Sequence, residues 1–160
     1  MSQPDGWLTD IEAAELRRLA KDRSVLELGA WKGRSTVVLA ESAEYVVSVD
    51  RHGGIRGHGG DSLPDYLENV RHIRNVAIVV AHFDEIAPRL GEFDMVYIDG
   101  DHDADAVAAD TLLIPDLLSP GGVVAYHDWD IAEVQDTVVE TVGRQPDGVV
   151  GSVAYYLDSR

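Results

Sequence analysis

The stretch VLELGAWKGRSTVVLA, residues 25–40, decides how the rest of the chain is read. It opens as an apolar strand interrupted only by Glu27, turns at Gly29, and starts a helix at about Gly33. A strand, a glycine turn and a helix start in one run offer a ligand backbone N–H groups and a positive dipole end. Two small-molecule classes use this layout. Dinucleotides need G-x-G-x-x-G so that the pyrophosphate can approach the backbone. Here three residues separate Gly29 from Gly33, and Trp31 stands where the second glycine belongs. NAD is therefore disfavoured. S-adenosylmethionine remains, since it carries a carboxylate, an ammonium and a ribose but no phosphate. Asp50 follows Gly29 by 21 positions, at the end of the next strand, where a carboxylate accepts hydrogen bonds from ribose hydroxyls. Ser35, at the helix start, is placed to hydrogen-bond the methionine carboxylate.

Upstream, Thr9 and Glu12 make a capping-box pattern for a helix to about Lys21, within an N-terminal segment 1–23. Downstream, residues 45–50 form a second apolar strand. Five glycines fall in residues 53–60, so 51–61 reads as a mobile glycine-rich loop. Its His52, Arg56 and His58 would give a lid over the site cationic contacts. Ser62 opens a helix to about Arg74. Strands are expected at 76–81, 93–99 and 123–127, and a short proline-interrupted helix at 84–90. Further helices are expected from Asp103 to about Leu118 and over 131–142, and a last strand over 151–158. Pro120-Gly121-Gly122 reads as the turn before the fifth strand.

Strand and helix alternate with short links and no internal repeat. That pattern predicts an α/β fold: a single Rossmann-like, doubly wound, mostly parallel sheet of about six to seven strands, helices on both faces, and an antiparallel C-terminal strand. The 160 residues suffice for one core and one domain spanning 1–160. In such sheets ligands sit beyond the carboxyl ends of the strands. Glu27, Asp50, His82, Asp99 and the pair His127-Asp128 close strands one to five, which is where chemistry is expected.

A formal net charge of −16 repels nucleic acid phosphates, so no nucleic acid partner is expected. The absence of cysteine removes disulfides, thiolate zinc sites and cysteine nucleophiles. No apolar run approaches a membrane span, and the N-terminus MSQPDGWLTD lacks the features of a signal peptide, so a cytoplasmic protein with no membrane partner is expected.

LELGAWKGRS resembles the first motif of class I S-adenosylmethionine-dependent methyltransferases. The resemblance extends through APRLGEFDMVYIDGDH and LLSPGGVVAYHDW, and is strongest to the metal-dependent small-molecule O-methyltransferases of the catechol type. It covers residues 25–129. It implies that Gly29, Ala30, Trp31, Gly33 and Ser35 line the methionine end and that Glu27 supports their loop. Asp50 matches the ribose acid, with Arg51 beside it. His82 and Phe83 match the pair framing adenine, although many relatives carry an acid where His82 stands. Trp31 would flank the methionine chain, where an aromatic face attracts a sulfonium.

In the resembled enzymes the ends of strands four and five hold a divalent metal that activates the acceptor hydroxyl. Asp99 and Asp128 match, but His127 replaces a carboxylate of the second pair. Imidazole suits manganese, iron or zinc better than magnesium. Three readings stand at this point: a metal on Asp99, His127 and Asp128; a metal-free site with His127 as base; and structural hydrogen bonding at strand ends. His102 falls where the catechol-type enzyme has its catalytic lysine, and imidazole is the side chain most often used as a general base. Trp129 is either substrate-facing or ordinary core.

The expected function is O-methylation of a small hydroxylated acceptor, a sugar, phenol or secondary-metabolite hydroxyl, with a homodimer expected to complete the small site. The rival is a catalytically inactive methyltransferase-like module that binds S-adenosylmethionine or a protein.

Overall fold

The computed structural model describes residues 4–53 and 60–160. Helix α1 (Asp10–Ala20) starts where the sequence places it. Thr9 Oγ1 accepts from the Glu12 amide, and the Glu12 carboxylate accepts from the Thr9 amide at 2.7 Å. Strand β1 (Ser24–Leu28) leads into helix α2 (Arg34–Ala40), then strand β2 (Tyr45–Asp50) and helix α3 (Leu63–Val70). Strand β3 (Val76–Val80) is followed by the short helix α4 (Phe83–Ile86), whose continuation tightens into a 3-10 turn where Pro88 sits. Strand β4 (Phe93–Ile98), helix α5 (Ala104–Leu117), strand β5 (Leu118–Tyr126) and helix α6 (Ala132–Val142) complete the alternation.

Among the described residues seven strands form one sheet, ordered β3-β2-β1-β4-β5 and then two more at its edge. The first five pair in parallel, which needs crossover connections of the helical kind that join them. The end differs from expectation. The expected antiparallel strand is β7 (Val153–Leu157), beside β5, but it is the second arm of a hairpin whose first arm, β6 (Gly148–Val150), the sequence reading does not place. Gly151, at φ +60°, makes that turn possible.

A second difference lies at the start of β5. The strand follows α5 without the expected turn. Phe93 pairs with Leu118 but Met95 with Val123, so the extra residues bulge out of the ladder. Gly122 fits there because a Cβ would lie 2.9 Å from the Asp94 carbonyl oxygen.

Alternation along the strands sorts the core into two layers. Leu26, Val96 and Val124 pack under α5 and α6, against Ile114, Leu117 and Val138. Val25, Met95 and Val123 face the other way, against Leu16 and Leu19 of α1 and Leu39 of α2. Glu27, Asp99 and His127 keep the parity of this second set, so their side chains emerge on the α1–α2 side of the strand ends.

Glu12 does more than cap α1. Its Oε1 accepts from the Ser152 amide at 2.6 Å and from the Ser152 hydroxyl at 2.7 Å. Burial opposes ionisation of this carboxyl, but hydrogen bonds from Ser152 and Thr9 outweigh it and lower the pKa to about 2. A carboxyl lowered on folding stabilises the native state above its unfolded pKa, and that contribution fades as pH falls toward the folded value. We therefore expect Glu12→Gln to cost about 3 kcal/mol at neutral pH. In denaturant titrations the difference from wild type should shrink steadily below about pH 4. A pH-independent difference would assign the loss to packing instead.

Candidate active site

The wall of the site is built around Gly29. Its amide donates to the Val49 carbonyl at 2.9 Å, and a Cβ at this position would lie 2.0 Å from the Asp99 carbonyl oxygen. With φ at +93°, only glycine fits. The ends of β1 and β4 therefore approach each other closely, and two cavities open on either side of the contact. The smaller, about 380 Å³, is lined by Ala30, Ser35, His102, His127 and Asp128, with Trp7 and Arg34. The larger, about 480 Å³, is lined by Asp50, Arg51, His82 and Phe83, with Ala106, Ala109 and Asp110. Gly29, Trp31, Asp99 and Gly100 line both, making one divided cleft.

Two of the expected cofactor residues lie beneath this wall. Gly33 caps α2 at φ +84°, and a Cβ there would press on the Tyr66 ring at 3.0 Å. Glu27 is fully buried and accepts from Ser35 Oγ and Thr36 Oγ1, each at 2.6 Å. Burial, with the charge of Asp99 adding to it, pushes its pKa up to about 7 against those hydrogen bonds. The Ser35 hydroxyl donates to Glu27, and Ser35 also lines the smaller cavity, where the sequence reading expects the methionine carboxylate.

Asp50 holds the glycine turn from inside. Its Oδ2 accepts from the amides of Ala30 and Trp31, both at 2.8 Å, and its Oδ1 from the His52 amide at 2.7 Å. A carboxylate has about four acceptor positions, so one remains for a ribose hydroxyl. Trp31 adopts φ +43°, uncommon for so bulky a residue and costing about 1–2 kcal/mol. Its ring stacks on Trp7 with centroids 4.7 Å apart, and the Lys32 ammonium lies 5.1 Å from its centroid. Arg34 fixes the segment carrying Trp7 by donating to the carbonyls of Pro4 and Leu8 at 3.0 and 2.8 Å.

The glycine-rich loop separates into parts. His52 is buried and anchors the loop: its Nδ1 meets Ser62 Oγ at 2.9 Å and its ring packs against Tyr66. It is no cationic lid residue. Arg56 and His58 lie outside the described residues. Trp129 is also core, packed edge-on to Tyr156.

At the far side of the smaller cavity Asp99, His127 and Asp128 offer ligand atoms within 4.8 Å of one another. His127 Nδ1 lies 3.5 Å from Asp99 Oδ1 and 3.2 Å from Asp128 Oδ1, while its Nε2 faces Ser152 Oγ at 3.3 Å with Glu12 behind at 4.0 Å. Burial pulls the imidazole pKa down, but hydrogen bonds and charge from Asp128 and Asp99 overcome it and raise it to about 10. A ring held protonated has no lone pair for a proton, which counts against His127 as the base of a metal-free site. Asp128 stands at φ +58°, a conformation open to Asp through its short side chain. Its Oδ2 meets His102 Nε2 at 2.7 Å. Burial opposes its ionisation, and His127 and His102 nonetheless hold its pKa below the ordinary value.

A family model described as a methyltransferase domain matches residues 26–129. The chain belongs to this methyltransferase family. Among curated proteins none matches it. Solved structures share the methyltransferase fold. Cofactor-bound Rv0187 from MTB is 22% identical, with a TM-score of 0.75 over 99% of this chain and 84% of that one. The O-methyltransferase TomG from Streptomyces achromogenes, in complex with SAM, is 18% identical, with a TM-score of 0.67 over 92% and 79%. An O-methyltransferase from Bacillus cereus, in complex with SAH, is 15% identical, with a TM-score of 0.72 over 98% and 84%.

Sequence reasoning missed Trp7, Arg34 and Asp110 in the cleft. It also read Glu12 only as a helix cap. Trp7 and Asp110 belong to no motif, while Arg34, inside the first motif, and Glu12, inside the capping box, reach the site through tertiary packing that the motifs do not show. For the methyltransferase scaffold the Gly29 contact is the part most sensitive to change. Gly29→Ala should cost about 2 kcal/mol or more, from the positive φ and the displaced carbonyl, lowering Tm by about 4–8 °C. An unchanged Tm would show that β1 and β4 can separate freely.

Proposed function

We propose that this methyltransferase moves the methyl group of S-adenosylmethionine to a hydroxyl of a small acceptor. The observation that carries this reading is the divided cleft with four shared wall residues. The nucleoside half would occupy the larger cavity, with one ribose hydroxyl on the free acceptor position of Asp50. The sulfonium would lie at the shared wall beside Asp99, whose carboxylate attracts a cation. The acceptor would enter the smaller cavity against His102, Asp99 and Asp128. The SAM and SAH bound to TomG and to the Bacillus cereus enzyme support this choice of cofactor.

The acceptor oxygen gives its proton to an imidazole and attacks the methyl carbon in line. The carbon–sulfur bond breaks, its electron pair returns to sulfur, and neutral S-adenosylhomocysteine leaves. His102 is the base in this reading. With Nε2–H donated to Asp128, Nδ1 keeps a lone pair and the carboxylate steadies the imidazolium that forms. Asp99, His127 through Nδ1, and Asp128 suit a borderline divalent cation, with Nε2–H of His127 directed toward Ser152 and Glu12 as ligand imidazoles require. Such a cation would lower the pKa of the acceptor hydroxyl.

One observation favours a second, metal-free reading: the His127 imidazolium already neutralises the two carboxylates it touches. Manganese titration separates the two. A metal must displace the His127 proton, so its apparent affinity should rise about tenfold per pH unit through the neutral range. His127→Ala should flatten that dependence. No manganese binding at any pH would leave the imidazolium reading.

Calorimetric titration with S-adenosylhomocysteine tests the cofactor assignment. We expect micromolar affinity in the wild type and its loss in Asp50→Ala. His102→Ala should leave that affinity unchanged and slow transfer of labelled methyl to catechol or a methyl glycoside about 10²–10⁴-fold. Tight binding with no transfer to any hydroxylated probe would favour the inactive binding module.

A further inference from the structure

The wall that α5 gives to the larger cavity has no role in the account so far. Ala106, Ala109 and Asp110 stand at positions i, i+3 and i+4, one face of the helix, and all three line the cavity. The two alanines leave width that longer side chains would fill. Phe83, from the start of α4, bounds the same space. Asp110 lies at its corner: a Cβ built on Gly100 would be 3.2 Å from Asp110 Oδ2 and 3.3 Å from Phe83 Cε2. Carboxyl, aromatic edge and Gly100 backbone therefore converge.

Asp110 is half-buried and has neither a hydrogen bond nor an ion pair among the described residues. Burial, then the charges of Asp84 and Asp101, push its pKa up to about 7. Among the described residues no cation offsets that cost. A desolvated, unpartnered carboxyl facing a ligand-sized cavity is a polar group whose partner is the ligand.

The chemistry of that partner is narrow. Asp84 and Asp101 line the same cavity, so phosphate and carboxylate groups are repelled. Ionised or neutral, the Asp110 carboxyl offers an oxygen that accepts. The ligand must bring a flat apolar ring and an N–H donor on its edge. Gly29 and Trp31 fall to the methionine side and Asp50 to the ribose, which leaves this corner for the base. We infer that Asp110 reads the exocyclic amino group of adenine, with Phe83, Ala106 and Ala109 forming the slot for the ring; this rests on the S-adenosylmethionine reading of the cleft.

The test compares S-adenosylhomocysteine with its 6-deamino analogue, purine replacing adenine, by calorimetric titration of the whole chain. The analogue loses the donor and adds nothing. Wild type should prefer S-adenosylhomocysteine at least about tenfold, since a buried acceptor left unpaired is costly. Asp110→Leu should weaken S-adenosylhomocysteine about tenfold and leave the analogue within about twofold, bringing the ratio near one. Asp110→Ser, too short to reach, should do the same, so misfolding of one variant leaves the test standing. Asp110→Asn keeps an acceptor oxygen and should retain the preference. A wild-type ratio near one, or a Leu or Ser variant that folds and keeps the wild-type ratio, overturns the assignment of Asp110 alone. Binding of neither compound by the wild type overturns the cofactor reading and this inference with it.

Discussion

The absent side chain of Gly29 sets the dimensions of the site. Because nothing projects from that α-carbon, the Asp99 carbonyl comes within 2.0 Å of where a Cβ would be, and the tips of β1 and β4 close together. They are the two strands at which the sheet order reverses, where a doubly wound fold opens a crevice beyond its strand ends. The contact divides that crevice. It also brings the Asp50 carboxylate, one strand over, onto the amides of Ala30 and Trp31, which fixes the turn in a conformation with a tryptophan at positive φ. The surrounding hydrogen bonds hold strain of that kind in place.

Beyond this contact the site is an arrangement of negative charge around few cations. Asp50, Asp99, Asp110 and Asp128 all line the cleft of a chain whose net charge is −16. A ligand bearing a sulfonium and an ammonium is drawn into such a field, and the neutral product of sulfonium demethylation is held less strongly. The field also explains the imidazole of His127, a buried base kept charged by the carboxylates it touches. Glu27 shows the opposite outcome. It is buried too, but only hydroxyls bond it and the charge of Asp99 opposes its ionisation, so desolvation prevails and its affinity for a proton rises.

Much of this was legible in the sequence, for identifiable reasons. Strands buried on both faces read as apolar runs, and the acids that end them stand out against that background. The Thr9–Glu12 cap is local and was read correctly. What escaped depends on long-range pairing. The bulge at Gly121-Gly122 is set by the register of β5 against β4, and the C-terminal hairpin by the docking of Gly151 on α1. The direction of a hydroxyl proton, as at Ser35, is decided by a buried partner eight residues away. His52 looked like a loop cation, and only the packing of Tyr66 and Ser62 turns it inward. Asp110 is one of three acids on α5, with Asp105 and Asp116, and no periodic signal sets it apart.

Ser152 binds Glu12 across 140 residues of sequence and faces the back of His127. The first helix and the last hairpin thus clasp each other behind the chemistry. During synthesis β1 to β5 can emerge and collapse in order, but β7 emerges after them and must add itself beside β5. Until the ribosome has released that segment, Glu12 lacks its partner and His127 lacks its backing. The order of manufacture therefore makes the cleft mature only after the hairpin has emerged, and a nascent chain carries an unfinished site until then.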